Sequence, residues 1–203
     1  MSPKNILIAL VLAIALAAGV VVATRLSAPA ELQTALVLPA PNALPEFALL
    51  DPLRNSVNRD TFLDQWSLLF FGFTHCPDIC PLTLQTLAAA QSELNAAGQQ
   101  PLPQIVLVSV DPERDTPQLI GQYVAHFGDG NLGVTGSLEE LKKLTSALGI
   151  YFEKQPGDGE SYAVDHSAAV LLINPNGEFH ALFSGPHVVA NYVHDLPIIM
   201  ENF

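Results

Sequence analysis

The chain has 203 residues and carries 20 acidic and 8 basic residues, for a net charge of −12. This length fits one domain with an appended segment. So acidic a balance argues against nucleic acid and anionic lipid as partners, because both bind basic surfaces. The two cysteines, Cys76 and Cys80, are too few for a disulfide-stapled scaffold.

The first predicted element is a membrane anchor. Residues Ile6–Ala23 are apolar and uncharged, with Lys4 before them and Arg25 after them. Such a run reaches the length of a membrane-spanning helix, so we predict an anchor over residues 6–24. The flanking charges favour a cytoplasmic N-terminus and an exported body. The alternative is a cleaved signal peptide, since Ala28-Pro29-Ala30 resembles a small-residue cleavage site.

A tether and the start of a compact domain follow. Residues 25–45 are rich in alanine and proline and predict a semi-extended tether. The compact domain is predicted over residues 46–203, opening with a short strand at Phe47–Leu50. Ser67–Phe73 is an apolar run typical of a buried strand.

The middle of the domain alternates helices and strands. The predicted elements, in order, are a helix over Pro81–Ala97, a buried strand over Gln104–Val110, a helix from Thr116-Pro117 to about His126, a brief strand over Leu132–Val134 and a helix capped by Ser137 that ends at Gly149. This alternation favours a mainly parallel α/β sheet.

The C-terminal part predicts two hairpins and a helix. The first hairpin spans residues 150–163. The second joins Ala168–Ile173 to Glu178–Phe183, and a helix interrupted at Pro197 closes the chain. Because the cysteines follow a buried strand and precede a long helix, the fold class is α/β and thioredoxin-like, with an added hairpin. The usual redox motif of that layout is Cys-x-x-Cys, which has one residue fewer between the cysteines than this chain has between Cys76 and Cys80.

The cysteine pair carries the clearest chemical signal. Cys76 and Cys80 each precede a proline, which disfavours helix, so both are predicted on a loop before a helix N-terminus. The helix dipole there favours thiolate, the form that attacks disulfides and binds metal. Redox chemistry and soft-metal binding therefore both fit. A structural disulfide fits less well, because closing so short a loop gains little chain entropy.

Two thiolates restrict the choice of metal. They select Cu(I), zinc or iron–sulfur, but structural zinc normally needs four ligands and a cluster needs four cysteines. A low-coordinate copper site completed by one imidazole fits better. His166 precedes a predicted strand that faces the cysteine loop in a thioredoxin-like layout, whereas the adjacent His75 is badly placed. The remaining histidines are predicted at the surface or in packing: His126, His180, His187 and His194.

Three segments together resemble the Sco (SenC) family, namely Phe71–Leu84, Val110–Pro117 and Val164–Ser167. Members of this family are membrane-tethered, thioredoxin-like copper-binding proteins that help assemble the binuclear copper centre of cytochrome c oxidase. The resemblance runs from about residue 45 to residue 200. It implies that Cys76, Cys80 and His166 are metal ligands.

The resemblance also implies a function and a location. We expect a copper metallochaperone, not an enzyme, that binds Cu(I), Cu(II) or both. It would deliver copper to the copper-bearing subunit of cytochrome c oxidase, or to another copper or thiol protein. We expect a single-pass protein of the bacterial inner membrane with its domain in the periplasm. The alternative is a thiol–disulfide oxidoreductase that reduces a partner's copper-ligand cysteines. A peroxiredoxin-like peroxidase is disfavoured, because the pattern Pro-x-x-x-Thr-x-x-Cys is missing.

Two further features allow two interpretations each. The segment Asp111–Pro117 docks a partner, or it is a strand-to-helix turn in which Arg114 pairs with a carboxylate and Thr116 caps the helix; we favour the turn. Asp78 and Asp165 flank the expected site. They tune the metal ligands from outside, or they accept hydrogen bonds from backbone N–H groups in turns.

Overall fold

The computed structural model describes residues 3–5, 10, 12, 14–16, 19, 31–157 and 162–203. Contacts divide the chain into two units, Met1–Glu31 and Leu32–Phe203, and the fold below is that of the second unit. The predicted anchor over residues 6–24 falls largely outside the described residues. Within the part of the chain that is described, no helix has the length and hydrophobicity needed to cross a bilayer.

A central six-stranded sheet carries the domain. Its strands are β1 (Ala35–Ala43), β4 (Ser67–Gly72), β5 (Gln104–Ser109), β6 (Leu132–Val134), β9 (Val170–Asn174) and β10 (Glu178–Phe183). They lie in the order β1-β10-β9-β4-β5-β6. Every residue of β4 and of β9 is buried, as expected for strands covered on both faces. Because β4 lies between β9 and β5, the loop that follows it leaves from the middle of the sheet.

Within residues 32–157 and 162–203, two small antiparallel pairs and four helices complete the domain. The pairs are β2 (Leu49–Leu50) with β3 (Ser56–Val57), and β7 (Phe152–Lys154) with β8 (Val164–His166). The helices are α1 (Ile79–Ala96), α2 (Pro117–Ala125), α3 (Leu138–Leu148) and α4 (Val189–Glu201), with a 3₁₀ turn at Arg59–Phe62. Helix α1 packs against α4, and α2 packs against β6. The mixed α/β architecture confirms the predicted fold class.

The sheet is less parallel than the sequence predicted. In the six-stranded sheet, β4–β5 and β5–β6 are parallel pairs, while β4–β9, β9–β10 and β10–β1 are antiparallel. The predicted C-terminal hairpin is present as β9 and β10, but it inserts beside β4. The prediction that the last helix is interrupted is wrong, because Pro197 lies inside the continuous helix α4.

The second half of the predicted tether is an edge strand. Strand β1 pairs antiparallel with β10, and its register shifts between Val37 and Asn42. Pro39 and Pro41 fall within this irregularity, where proline's missing N–H removes no ladder hydrogen bond. The prolines suggested an unpaired tether, but the residues on either side of them pair with β10.

A buried carboxylate fastens this N-terminal strand to the last helix. Asp195 in α4 is fully buried and accepts hydrogen bonds from three successive backbone N–H groups, those of Gln33 (2.8 Å), Thr34 (2.9 Å) and Ala35 (2.9 Å). Burial alone would raise the pKa of Asp195, but these hydrogen bonds and the neighbouring His194 lower it below the ordinary 3.8. The folded protein therefore stabilises the ionised carboxylate.

We expect Asp195→Asn to destabilise the protein by about 2 kcal/mol at pH 7, because the amide cannot accept hydrogen bonds from all three N–H groups. A lowered pKa in the folded state adds stability above the ordinary pKa of 3.8, and that stability is lost as the pH falls through the folded-state value. The difference from wild type should thus shrink below about pH 4. Urea unfolding at several pH values measures it, with the exposed Asp129→Asn as control. A difference in unfolding free energy that does not change with pH would contradict the role of the ionised Asp195 carboxylate.

Candidate metal site

Three side chains that are far apart in sequence converge beyond the end of β4. Cys76 lies in the loop after β4, Cys80 is the second residue of α1, and His166 is the last residue of β8. Their ligand atoms all lie within 4.8 Å of one another. Donors held about 2.0–2.3 Å from one metal ion lie at most about 4.6 Å apart, so the cluster is close to a coordination geometry.

The predicted backbone at Cys80 needs correction. We predicted that both cysteines are non-helical, but α1 begins at Ile79 and includes Cys80 in its first turn. The proline at position 81 does not prevent this, because the first N–H groups of a helix have no partner within it. The first turn thus places the Cys80 sulfur beneath the loop that carries Cys76.

Both cysteines are buried. Cys76 is 9% exposed and Cys80 is 0% exposed, and both are free thiols. Burial, followed by the hydrogen bond with Cys76, raises the pKa of the Cys80 thiol well above its ordinary value. The expectation that the helix N-terminus favours thiolate is therefore wrong for Cys80 in the absence of metal. Desolvation outweighs the dipole there.

His166 is oriented as a nitrogen donor. Its Nδ1 lies 3.1 Å from the carbonyl oxygen of Ser167, which can only accept, so Nδ1 carries the proton. The other nitrogen, Nε2, is therefore unprotonated, and its lone pair faces the Cys80 sulfur at a hydrogen-bonding distance of 3.4 Å. Burial lowers the pKa of His166, which keeps the imidazole neutral at neutral pH. A neutral ring with a fixed tautomer is the form that binds metals.

Aromatic and glycine packing fixes the walls of the site. The rings of Phe70 and Phe73 meet His166 edge-on, with centroids 6.1 Å and 5.8 Å away. A Cβ atom at Gly72 would lie 2.8 Å from the Cys80 sulfur, so the site needs glycine at this position. These contacts leave little freedom for either the ring or the sulfur.

The other candidate residues lie outside the cluster. His75 is turned towards Thr74, whose hydroxyl lies 3.0 Å from its Nδ1. Among the described residues, the cluster that could hold a metal ion contains Cys76, Cys80 and His166 and no carboxylate. Asp78 makes no side-chain hydrogen bond to the helix that it caps, and Asp165 accepts one from Gln155. Neither aspartate is hydrogen-bonded to a proposed ligand.

Sequence reasoning missed one buried residue beside the site. Asp115 is fully buried and accepts hydrogen bonds from the backbone N–H of Thr74 (3.0 Å) and from the Ser109 hydroxyl (2.7 Å). The segment Asp111–Pro117 was predicted as a strand-to-helix turn, and its two predicted contacts are present. Arg114 pairs with Asp111, and Thr116 caps α2. The only available signal for Asp115 was its place in the motif that resembled the family.

Comparison with known proteins identifies similar chains. The model of the family described as SCO1/SenC matches residues 38–201. A Stutzerimonas stutzeri protein named for copper binding is 36% identical over 167 residues, which cover 82% of this chain and 81% of that protein. The mitochondrial SCO2 homologue of Mus musculus is 42% identical over 135 residues, covering 66% of this chain and 53% of that protein. The chain thus spans about half the length of this mitochondrial relative.

Solved structures show the same fold. Arabidopsis thaliana ScoI with copper bound is 33% identical, with a TM-score of 0.74, and the match covers 79% of this chain and 99% of that one. The apo Sco1 protein of Thermus thermophilus is 34% identical with the same TM-score of 0.74, covering 84% of this chain and 98% of that one. The fold is therefore shared with both copper-bound and copper-free structures.

Proposed function

The chain belongs to the SCO1/SenC family, and from that premise we propose that it is a copper metallochaperone. Cys76, Cys80 and His166 bind one copper ion as cargo. The protein then passes the ion to a partner during assembly of the binuclear copper centre of cytochrome c oxidase. The receiving protein is the copper-bearing subunit of the oxidase or another copper or thiol protein.

The observation that carries this proposal is the convergence of two sulfurs and one imidazole nitrogen within 4.8 Å. Thiolate sulfur selects Cu(I), and imidazole also suits Cu(II), so this donor set accepts either oxidation state. Three protein donors leave a position open for a ligand from an acceptor protein. The copper-bound structure of the similar Arabidopsis thaliana protein supports copper as the metal.

Copper binding would change the protonation of the site. The raised pKa of Cys80 means that its thiol is protonated before metal arrives, so copper must displace that proton. Neutral His166 supplies its lone pair without losing a proton. The chemistry of the site is thus exchange of the Cys80 proton for a metal ion.

A thiol–disulfide oxidoreductase is the second candidate, because the same two thiols could reduce a partner's disulfide. Cys76 is the more exposed thiol and would attack, and Cys80 would then resolve the mixed disulfide. The raised pKa of Cys80 disfavours its thiolate. This candidate requires no imidazole donor, so the role of His166 separates the two functions.

We propose that residues 6–24 anchor the protein in the bacterial inner membrane, with the domain in the periplasm. The support is the uncharged apolar run Ile6–Ala23. Membrane fractionation with N-terminal sequencing should find the protein in the membrane with its first residues intact. A mature protein in the soluble fraction that begins near Glu31 would instead indicate a cleaved signal peptide.

Metal analysis after copper loading tests the function directly. Anaerobically reduced protein should bind about one copper ion per chain, and protein oxidised to the Cys76–Cys80 disulfide should bind almost none, because disulfide sulfur is not thiolate. Rereduction should restore binding. Equal copper uptake by the oxidised and reduced proteins would contradict a site that depends on both sulfurs.

His166→Ala should weaken copper affinity by at least about tenfold, or roughly 1.4 kcal/mol, because one of three donors is lost. The variant should remain folded and still reduce a model disulfide. His126→Ala is the matched control, since this ring lies on the surface and contacts the Gln122 carbonyl. X-ray absorption of copper-loaded wild type should show nitrogen and sulfur donors. Wild-type affinity in His166→Ala would make the oxidoreductase the better candidate.

A further inference from the structure

The loop that follows β5 lies against both halves of the metal site. The cysteines belong to the segment after β4, whereas His166 lies 86 residues beyond Cys80 in the separate β7–β8 pair. We propose that residues 111–116 form a bracket that holds these two segments at the separation required for copper. In this bracket, Asp115 positions the cysteine loop and Asp111 with Arg114 position the strand that carries His166.

The first half of the bracket is the contact between Asp115 and Thr74. Besides the N–H of Thr74, the carboxylate accepts a short hydrogen bond from the Thr74 hydroxyl. Thr74 is two residues before Cys76, and the Cys76 N–H is itself bonded to the Phe73 carbonyl at 3.3 Å. A buried carboxylate is costly unless hydrogen bonds compensate it, so this contact is strongly favoured over an open loop.

The second half is the contact with Tyr162, which lies just before β8 and four residues before His166. The Tyr162 hydroxyl donates to Asp111 Oδ1 at 2.7 Å, and its carbonyl accepts from Arg114 Nη1 at 3.1 Å. The Arg114 guanidinium lies 3.6 Å from the centre of the Tyr162 ring, and the Lys154 ammonium lies 3.9 Å from it. The ring is thus in contact with two cations as well as hydrogen-bonded.

Ser109 joins the two halves. Its hydroxyl donates to Asp115 and accepts from the N–H of Asp111 at 3.1 Å, at the point where β5 ends. Because β4 and β5 are parallel neighbours, the loops that leave them emerge side by side. Arg114 also lies 5.7 Å from the centre of the Phe73 ring, which in turn contacts His166. The bracket therefore connects the cysteine loop with the segment before His166 through buried and partly buried contacts.

None of the three proposed ligands belongs to this loop. The loop instead sets the distance between the two segments that carry them. Positioning groups outside the ligands commonly change metal affinity by about 10–100-fold when removed. The proposal depends on the proposed function only for its effect on copper. Its effect on the conformation of the copper-free protein can be measured independently.

The test uses two variants that remove one contact each. Asp115→Asn weakens the hold on the cysteine loop, and Tyr162→Phe removes the hydroxyl bonded to Asp111 but keeps the ring between the two cations. Matched controls are Asp129→Asn, at an exposed aspartate, and Tyr151→Phe, at an exposed tyrosine whose hydroxyl donates to Glu153. Thr74→Val removes the same hydroxyl contact from the other side, in case Asp115→Asn does not fold.

In copper-free, reduced full-length protein, Asp115→Asn should speed amide hydrogen exchange at Thr74 and Cys76 and leave the NMR signals of the His166 ring unchanged. Tyr162→Phe should shift the His166 ring signals and leave exchange at Thr74 unchanged. Each variant should weaken copper affinity by about tenfold or more, and both controls should match wild type. In X-ray absorption, Asp115→Asn should disturb the sulfur donors and Tyr162→Phe the nitrogen donor.

Two results would overturn the bracket. One is wild-type exchange, ring signals and copper affinity in both variants. The other is an equal change at both segments in each variant, which would indicate general destabilisation. Failure of the wild type to bind copper would refute the proposed function, while hydrogen exchange and NMR of the copper-free protein would still decide the bracket.

Discussion

The structure depends on the position of the carboxyl end of β4 in the middle of the sheet. This strand is buried on both faces, and β5 runs parallel to it, so the two chains leave the sheet at the same edge. The cysteine loop and the loop over residues 111–116 therefore emerge side by side and contact each other. The proposed third donor, His166, comes from the separate β7–β8 pair, and the edge-on contacts of Phe70 and Phe73 hold its ring in place.

Burial gives this site its chemical character. In the copper-free state Cys80 is a neutral thiol and His166 a neutral imidazole, because desolvation raises the pKa of the first and lowers that of the second. Neutral groups at these two positions avoid the high cost of isolated buried ions. Metal binding at the proposed site would displace the proton of the Cys80 thiol, and the same burial would exclude competing water. The bound metal must compensate for the loss of that proton by bonding strongly to sulfur, which favours copper over harder cations.

Asp195 and Asp115 are buried aspartates that bind backbone N–H groups in two different segments of the domain. Asp195 binds the backbone where β1 begins, and Asp115 binds the backbone that leads into the cysteine loop. Each of the two carboxyl groups accepts hydrogen bonds from more than one donor, including backbone N–H groups at or near a strand end. In this acidic chain most carboxylates are surface groups that aid solubility, whereas Asp111, Asp115 and Asp195 are buried. Asp195 thus holds backbone that supports the fold, and Asp115 holds backbone beside the proposed metal site.

The sequence by itself determined the elements and the chemistry that depend on local spacing. The apolar run of β4, the helix after Cys80 and the hairpin of β9 and β10 follow from periodicity and turn residues, and the Cys76–Cys80 spacing indicated a soft-metal or redox pair. His166 required its placement before a predicted strand together with the family resemblance. Tertiary structure decided the rest. Asp115 contacts a residue 41 positions away and Tyr162 one 51 positions away, and β1 pairs across most of the chain around two prolines. Local patterns carry no information about such distant partners, because burial and pairing exist only after the sheet has formed.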